Sequence, residues 1–247
     1  MKNALVRIFG YPATLIHGDA AVFDRWVWLK KHITRGPVRT LDVGCGSGAF
    51  TLYAAKAGNE AMGISFDEPN NKKARERAEI LGFEKASFIQ GDVRKLDEMK
   101  NIGLFDQAIC FETIEHIKDD GKLIRDISSV LKSGGKLLLT TPYKFYHRLP
   151  SDHVSEIENG DHMRWGYTHE EMEEILKSAG LEAESKDFVT GLISQALIRL
   201  ERHIVPISHY LAWVIVLPFR VLRVFDPFVT KLMHYPHLSI GIVARKT

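Results

Sequence analysis

Short apolar runs alternate along the chain with longer stretches of helical spacing, and the rhythm begins at Val38. The runs at 38–43, 60–65, 86–90, 105–110, 136–141, 181–189 and 237–245 predict seven strands. Between them, 49–57, 69–81, 121–131 and 169–179 carry apolar residues at helical spacing. Gly58, Gly82, Gly134 and Gly180 stand where those helices should stop, as left-handed caps. Strand and helix in alternation predict an α/β fold, a doubly wound, mostly parallel sheet covered on both faces. Ahead of it, Asp19 is placed to cap a covering helix whose stripe is Val22, Phe23, Trp26, Val27 and Leu29.

One stretch breaks the rhythm. Residues 191–236 are far longer than an ordinary connection of about four to six residues, and they are apolar and aromatic. The longest uncharged run, 204–219, falls short of the roughly 18 to 20 residues a bilayer crossing needs, and Pro206 and Pro218 interrupt it. The chain therefore divides into an N-terminal helical cover (1–36), a sheet domain (37–190 with 237–247) and an apolar helical insertion (191–236).

Composition narrows the classes. Of 247 residues, 45% are hydrophobic and 26% charged, which suits a packed domain rather than a disordered chain. Thirty-three basic residues stand against 31 acidic ones, so no global field draws a polyanion and nucleic acid is not an expected partner. The two cysteines, Cys45 and Cys110, sit in strand-like runs as small buried thiols. With Arg7 interrupting the N-terminal apolar residues there is no secretory leader pattern, and a reducing cytoplasm is the expected location.

The run Leu41-Asp42-Val43-Gly44-Cys45-Gly46-Ser47-Gly48 ends the first predicted strand and opens the first helix, where glycines permit a sharp turn and a close ligand. Gly44, Gly46 and Ala49 also satisfy a dinucleotide fingerprint, but the second strand ends at Ser65 where a nicotinamide enzyme needs a ribose-binding acid. Together with Gly91-Asp92-Val93, Phe105-Asp106 and the run from Leu131 to Lys136, the loop resembles the class I S-adenosylmethionine-dependent methyltransferases. The resemblance implies S-adenosylmethionine as cofactor. It implies that Asp42, Gly44, Cys45, Gly46 and Gly48 form the loop against its methionine part, that Asp92 accepts from the adenine amino group, and that Val93 offers its backbone amide. For the ribose, Ser65 with Asn70 matches some lipid-modifying members, while Asp67 is either a second ribose ligand or the N-cap of the next helix.

Beyond the fourth strand, Glu112, Glu115 and His116 are spaced to share one face of a helical turn. Beyond the fifth, a polar loop carries His147, His153 and His162. Glu112, Glu115, His116 and His162 resemble the ligands of metal-dependent O-methyltransferases, which include ubiquinone-pathway enzymes and RNA 2'-O-methyltransferases. Metal-free small-molecule methyltransferases resemble the same stretches, with His116 and His162 as base or orienting groups beside Glu115. In the insertion, Arg199, Arg202, Arg220, Arg223 and Lys231 outnumber Glu201 and Asp226, beside Trp213, Phe219, Phe225 and Phe228. That mixture suits an anionic membrane surface at the inner face, a buried lid, or a homodimer contact. The expected activity is methyl transfer to a small or lipophilic acceptor, at oxygen. The alternatives are metal-dependent RNA 2'-O-methylation and a noncatalytic adenosyl-binding module.

Overall fold

The computed structural model describes residues 2–16, 20–99, 102–149 and 152–247. Seven strands, β1 (Arg39–Val43), β2 (Glu60–Ser65), β3 (Ala86–Gln90), β4 (Phe105–Phe111), β5 (Leu131–Pro142), β6 (Leu181–Val189) and β7 (Ser239–Lys246), form one sheet of order 3-2-1-4-5-7-6. All neighbours run parallel except β7, which lies antiparallel between β5 and β6. The helices are α1 (Lys2–Phe9), α2 (Pro12–Ile16), α3 (Ala20–His32), α4 (Ala49–Lys56), α5 (Glu68–Leu81), α6 (Asp120–Val130), α7 (His169–Ser178), α8 (Leu192–Ile204), α9 (His209–Val216) and α10 (Asp226–Leu232).

Alternation along the strands builds two cores. Ala108, Cys110, Leu137 and Leu139 face a cluster with Leu123 and Ile127 of α6 and Met172 and Leu176 of α7. Ile109, Phe111 and Leu138 point the other way, onto Trp28 of α3, Leu52 of α4 and Ala74 of α5. Both faces of the central strands β1, β4 and β5 are thereby removed from water, while Glu182, Glu184, Lys186 and Phe188 of the edge strand β6 stay exposed, and the sheet's ends are left for chemistry.

The expected caps hold at Gly82, which ends α5 with φ 66°. Gly134 does not cap a helix. Leu131 leaves α6 directly into extended backbone and pairs with Phe105, so the strand begins five residues before Lys136. Lys136 pairs with Gln107, so five steps along β5 span two along β4, and Gly134, at φ 72°, lies in that bulge. The proposed Asp19 cap lies outside the described residues.

Candidate active site

In a sheet of this order the connections leave β1 and β4 toward opposite sides, opening a crevice at their carboxyl ends. A cavity of about 460 Å³ occupies it. Among the residues singled out from sequence, Gly44, Gly46, Ser65, Asp67, Asn70, Asp92 and Val93 line it. Asp92 follows β3 and accepts from Arg94 through both carboxylate oxygens, at 2.6 to 3.0 Å. Arg94 holds its carboxyl below the usual carboxylate range, so it stays an ionised acceptor. Asp67 is the N-cap of α5: its carboxylate accepts from the Asn70 backbone at 3.3 Å and from Asn70 Nδ2 at 2.6 Å. The Ser65 hydroxyl oxygen accepts from the Asp67 backbone N–H at 3.3 Å.

Asp42, Cys45 and Gly48 do not line the cavity but stand behind it. Gly48 makes room for helix against strand: a Cβ there would stand 2.7 to 2.9 Å from Phe88 and Ala74. The Cys45 thiol packs where a Cβ on Gly63 of β2 would be, 2.7 Å away. Asp42 is buried and accepts from Thr51 Oγ1 at 2.6 Å, tying β1 to α4. Burial pushes its carboxyl up to about 6 despite the Thr51 bond. A carboxyl raised above its unfolded value, near 3.8, adds stability that is full below about pH 4 and lost as pH rises through about 6. The span corresponds to about 3 kcal/mol. Unfolding of Asp42→Asn followed from pH 4 to 7 should therefore lack that fall relative to the parent chain.

Sequence reasoning missed Phe66, Arg94 and Glu158 at this cavity. Phe66 is 74% exposed, an aromatic just beyond β2, which its position after Ser65 could have signalled. Arg94 Nη1 reaches Glu158 at 3.0 Å across sixty-four positions of sequence, a contact that only the fold reveals.

A smaller cavity of about 180 Å³ adjoins the first, and Glu112 and His116 line both. Glu115, His162, Arg25 of α3 and Arg202 of α8 line only the smaller one. The local backbone is not the regular helical turn expected: Ile114–His116 form a short 3-10 turn and Glu112 sits at φ 48°. A non-glycine residue held there is strained, as residues at ligand sites often are. Glu112 consequently turns toward β7, accepting from Ser239 Oγ at 3.3 Å, and does not join the tightest cluster. That cluster is Glu115, His116 and His162, with one ligand-type atom of each within 4.8 Å of the others. The long loop arrives because Met163 N–H donates to Glu115 O at 2.8 Å, and Arg164 binds Asp120 and the carbonyls of Ile117 and Lys118. The imidazoles of His116 and His162 meet edge to face at 4.7 Å. His147 instead packs on Tyr235, and His153 pairs with Asp161 at 3.1 Å.

The electrostatics of this corner are unusual. Burial pushes the Glu115 carboxyl well above the usual range, and Glu112 pushes it the same way. Burial and the neighbouring His116 pull His162 down to about 4, so it is neutral at pH 7. Glu115 Oε2 accepts from Thr141 at 3.2 Å, and Oε1 lies 3.8 Å from His116 Nε2. Buried Glu112 Oε1, Glu115 Oε1 and His116 Nδ1 have no hydrogen-bond partner among the described residues. Buried polar atoms left so cost stability.

A doubly wound sheet with a glycine loop and a cavity at its switch point defines a nucleotide-type cofactor-binding α/β protein. The chain belongs to the Methyltransferase domain family, whose sequence model matches residues 36–186. It is 33% identical over 105 residues to a ubiquinone biosynthesis O-methyltransferase of Xanthomonas oryzae pv. oryzae (strain PXO99A), covering 42% of each chain. A protein of the same name from Marinobacter nauticus is 28% identical over 177 residues, 67% of this chain and 71% of that one. The match thus spans about two fifths of the first of these relatives. Among solved structures, Haemonchus contortus phosphoethanolamine N-methyltransferase 2 in complex with S-adenosyl-L-methionine superposes with a TM-score of 0.66. It is 20% identical, and the superposition covers 96% of this chain and 57% of that one. The fold and class expected from the glycine loop are those found.

Proposed function

We propose that the chain transfers the methyl group of S-adenosylmethionine to a hydroxyl of a small, lipophilic acceptor, as the names of the ubiquinone-pathway relatives suggest. The observation that carries this reading is the meeting of two cavities at His116 and Glu112, one fitted to a nucleoside and one lined by a base and carboxyl groups. The larger cavity fits the cofactor: its wall is open at Gly46, where a Cβ meets no atom within 4 Å, and Asp92 is ionised at its rim. Asp92 and the Val93 amide would hold adenine, with Ser65 and Asn70 at the ribose while Asp67 keeps α5 capped. When bound, the sulfonium supplies a methyl already activated for transfer.

The residues then have three tasks. The loop Gly44 to Gly48 positions the cofactor, and the smaller cavity orients the acceptor and excludes water. His116, at the junction, takes the acceptor's hydroxyl proton, with neutral His162 packed on its edge and the Glu115 carboxyl 3.8 Å from its Nε2. The orphaned atoms of Glu115 and His116, with His162, also fit a divalent cation of the zinc, manganese or iron type, which would lower the proton affinity of a bound hydroxyl. The same reading keeps 37–190 with 237–247 as the transferase unit, and 191–236 as a separate helical layer working at the cytoplasmic face of a membrane.

The test is transfer of labelled methyl from S-adenosylmethionine to phenols with and without an alkyl tail, before and after chelation. Label should pass to oxygen and favour the tailed phenol. If the cation is held there, elemental analysis should find stoichiometric divalent metal that both His116→Ala and His162→Ala lose without loss of cofactor affinity. Full activity in metal-free protein would remove the cation and leave His116 as base; no transfer to any hydroxyl would remove the oxygen-acceptor reading.

A further inference from the structure

The segment after α8 is built inside out. In solution a surface helix turns its charges to water and its apolar stripe inward. From Ile204 to Met233 the reverse holds: Ile207, Val214, Phe219, Val224, Phe225 and Phe228 are all exposed, while the arginines turn inward. Arg220 is buried and pairs with Glu201 at 3.3 Å; Arg223 pairs with Asp24 of α3 at 3.1 Å. Asp226 accepts from the backbone N–H groups of Ile193 and Ser194, at 2.8 and 3.0 Å. Arg202 binds Asp152 at 2.5 Å and Arg199 binds the Tyr235 hydroxyl at 2.9 Å. The basic excess that suggested attraction to anionic headgroups is therefore spent inside the protein. Among the described residues 204–233, Lys231 is the one exposed side chain with a fixed charge.

We infer that this face docks on a lipid leaflet by inserting apolar side chains, with little help from lipid charge. A face that large and apolar calls for a partner. A protein partner would need hydrogen bonds, about one per 100 to 200 Å² of contact, and a charged or polar rim. The outward side chains here are aliphatic, phenylalanine, proline and Met233, with His209 and Tyr210 near one end and Lys231 near the other, as at a hydrocarbon–headgroup boundary. Among the described residues no helix is long and apolar enough to cross a membrane, and the helical run from α9 through the 3-10 stretch Leu217–Phe225 into α10 is interrupted by Arg220, Arg223, Asp226 and Lys231, so the segment lies on the leaflet. Its inner side joins the smaller cavity: Ile198 of α8 lines that cavity and packs in one cluster with Tyr146, Leu149 and Val216 of α9. Docking so oriented sets the acceptor site one helix layer from the lipid, a consequence that rests on the proposed activity, whereas the docking itself does not.

Flotation with phosphatidylcholine vesicles, without cofactor or acceptor, tests the inference. The full chain should float with the vesicles, equally at about 0.1 M and about 1 M NaCl and equally with phosphatidylglycerol added. Phe225→Glu with Phe228→Glu should weaken partitioning by about tenfold or more. The variant's melting temperature and S-adenosylmethionine affinity should match the parent's, because both rings already face water. Binding that needs anionic lipid or is released by salt would overturn the inference. So would a doubled mass in solution with no vesicle binding, which makes the face a contact between copies, or unfolding of the variant, which makes it core. None of these outcomes touches the methyl-transfer assay, which uses a soluble phenol.

Discussion

Gly46→Ala should weaken S-adenosylmethionine binding by about one to two orders of magnitude, roughly 1.4 to 3 kcal/mol, while the protein melts within a few degrees of the parent. Gly46 has φ 50° and lines the larger cavity, and a methyl placed on it meets no protein atom within 4 Å. Its cost to folding is the left-handed backbone alone, about 1 kcal/mol. Its cost to binding is the space the cofactor's methionine part would occupy. Gly44→Ala makes the contrast, because at φ 79° its added methyl would collide with the Thr113 side chain. That variant should lose stability by more than Gly46→Ala does, with the glycine loop and the segment before His116 displaced together. Calorimetric titration and thermal unfolding of both variants separate the two costs; equal binding by Gly46→Ala and the parent would mean the cofactor lies elsewhere.

The sheet was legible because its signals are local. Alternation in runs such as Leu137-Leu138-Leu139 decides which face each side chain takes, and β2, β3 and β6 fall at the bounds that alternation gives. The start of β5 was not legible, since it depends on Leu131 pairing across to Phe105, a contact no helical or strand period records. The site divides in the same way. The glycine loop, Asp92 and the Glu115–His116 step were readable from motif and order. The approach of His162 was readable only as an available histidine: its position beside His116 is made by Met163 N–H binding Glu115 O. Glu112 was misplaced because a regular turn was assumed where the backbone goes left-handed. The inward direction of the insertion's arginines was not legible for a related reason. Counting Arg220 and Arg223 says nothing of direction, and their partners Glu201 and Asp24 lie 19 and 199 positions away.

Removal of the imidazole in His116→Ala should reduce methyl transfer to a hydroxyl acceptor by about 10² to 10⁴-fold, the usual contribution of one positioned general base. The side chain is 31% exposed, and its Nδ1 has no hydrogen-bond partner among the described residues, so truncation breaks no structural bond there and the fold should hold. Cofactor affinity should change by less than about threefold, or under 1 kcal/mol, since His116 touches the larger cavity only where it meets the smaller one. His162→Ala should cost less in rate, because a group held near a pKa of 4 is too weak a base to hold the acceptor's proton at pH 7 and acts by packing His116, unless a cation uses both rings. Single-turnover transfer measured with cofactor saturating isolates the chemical step from binding. A His116→Ala rate within about twofold of the parent would exclude both base and ligand roles for that imidazole, because either role makes proton loss from the acceptor depend on it.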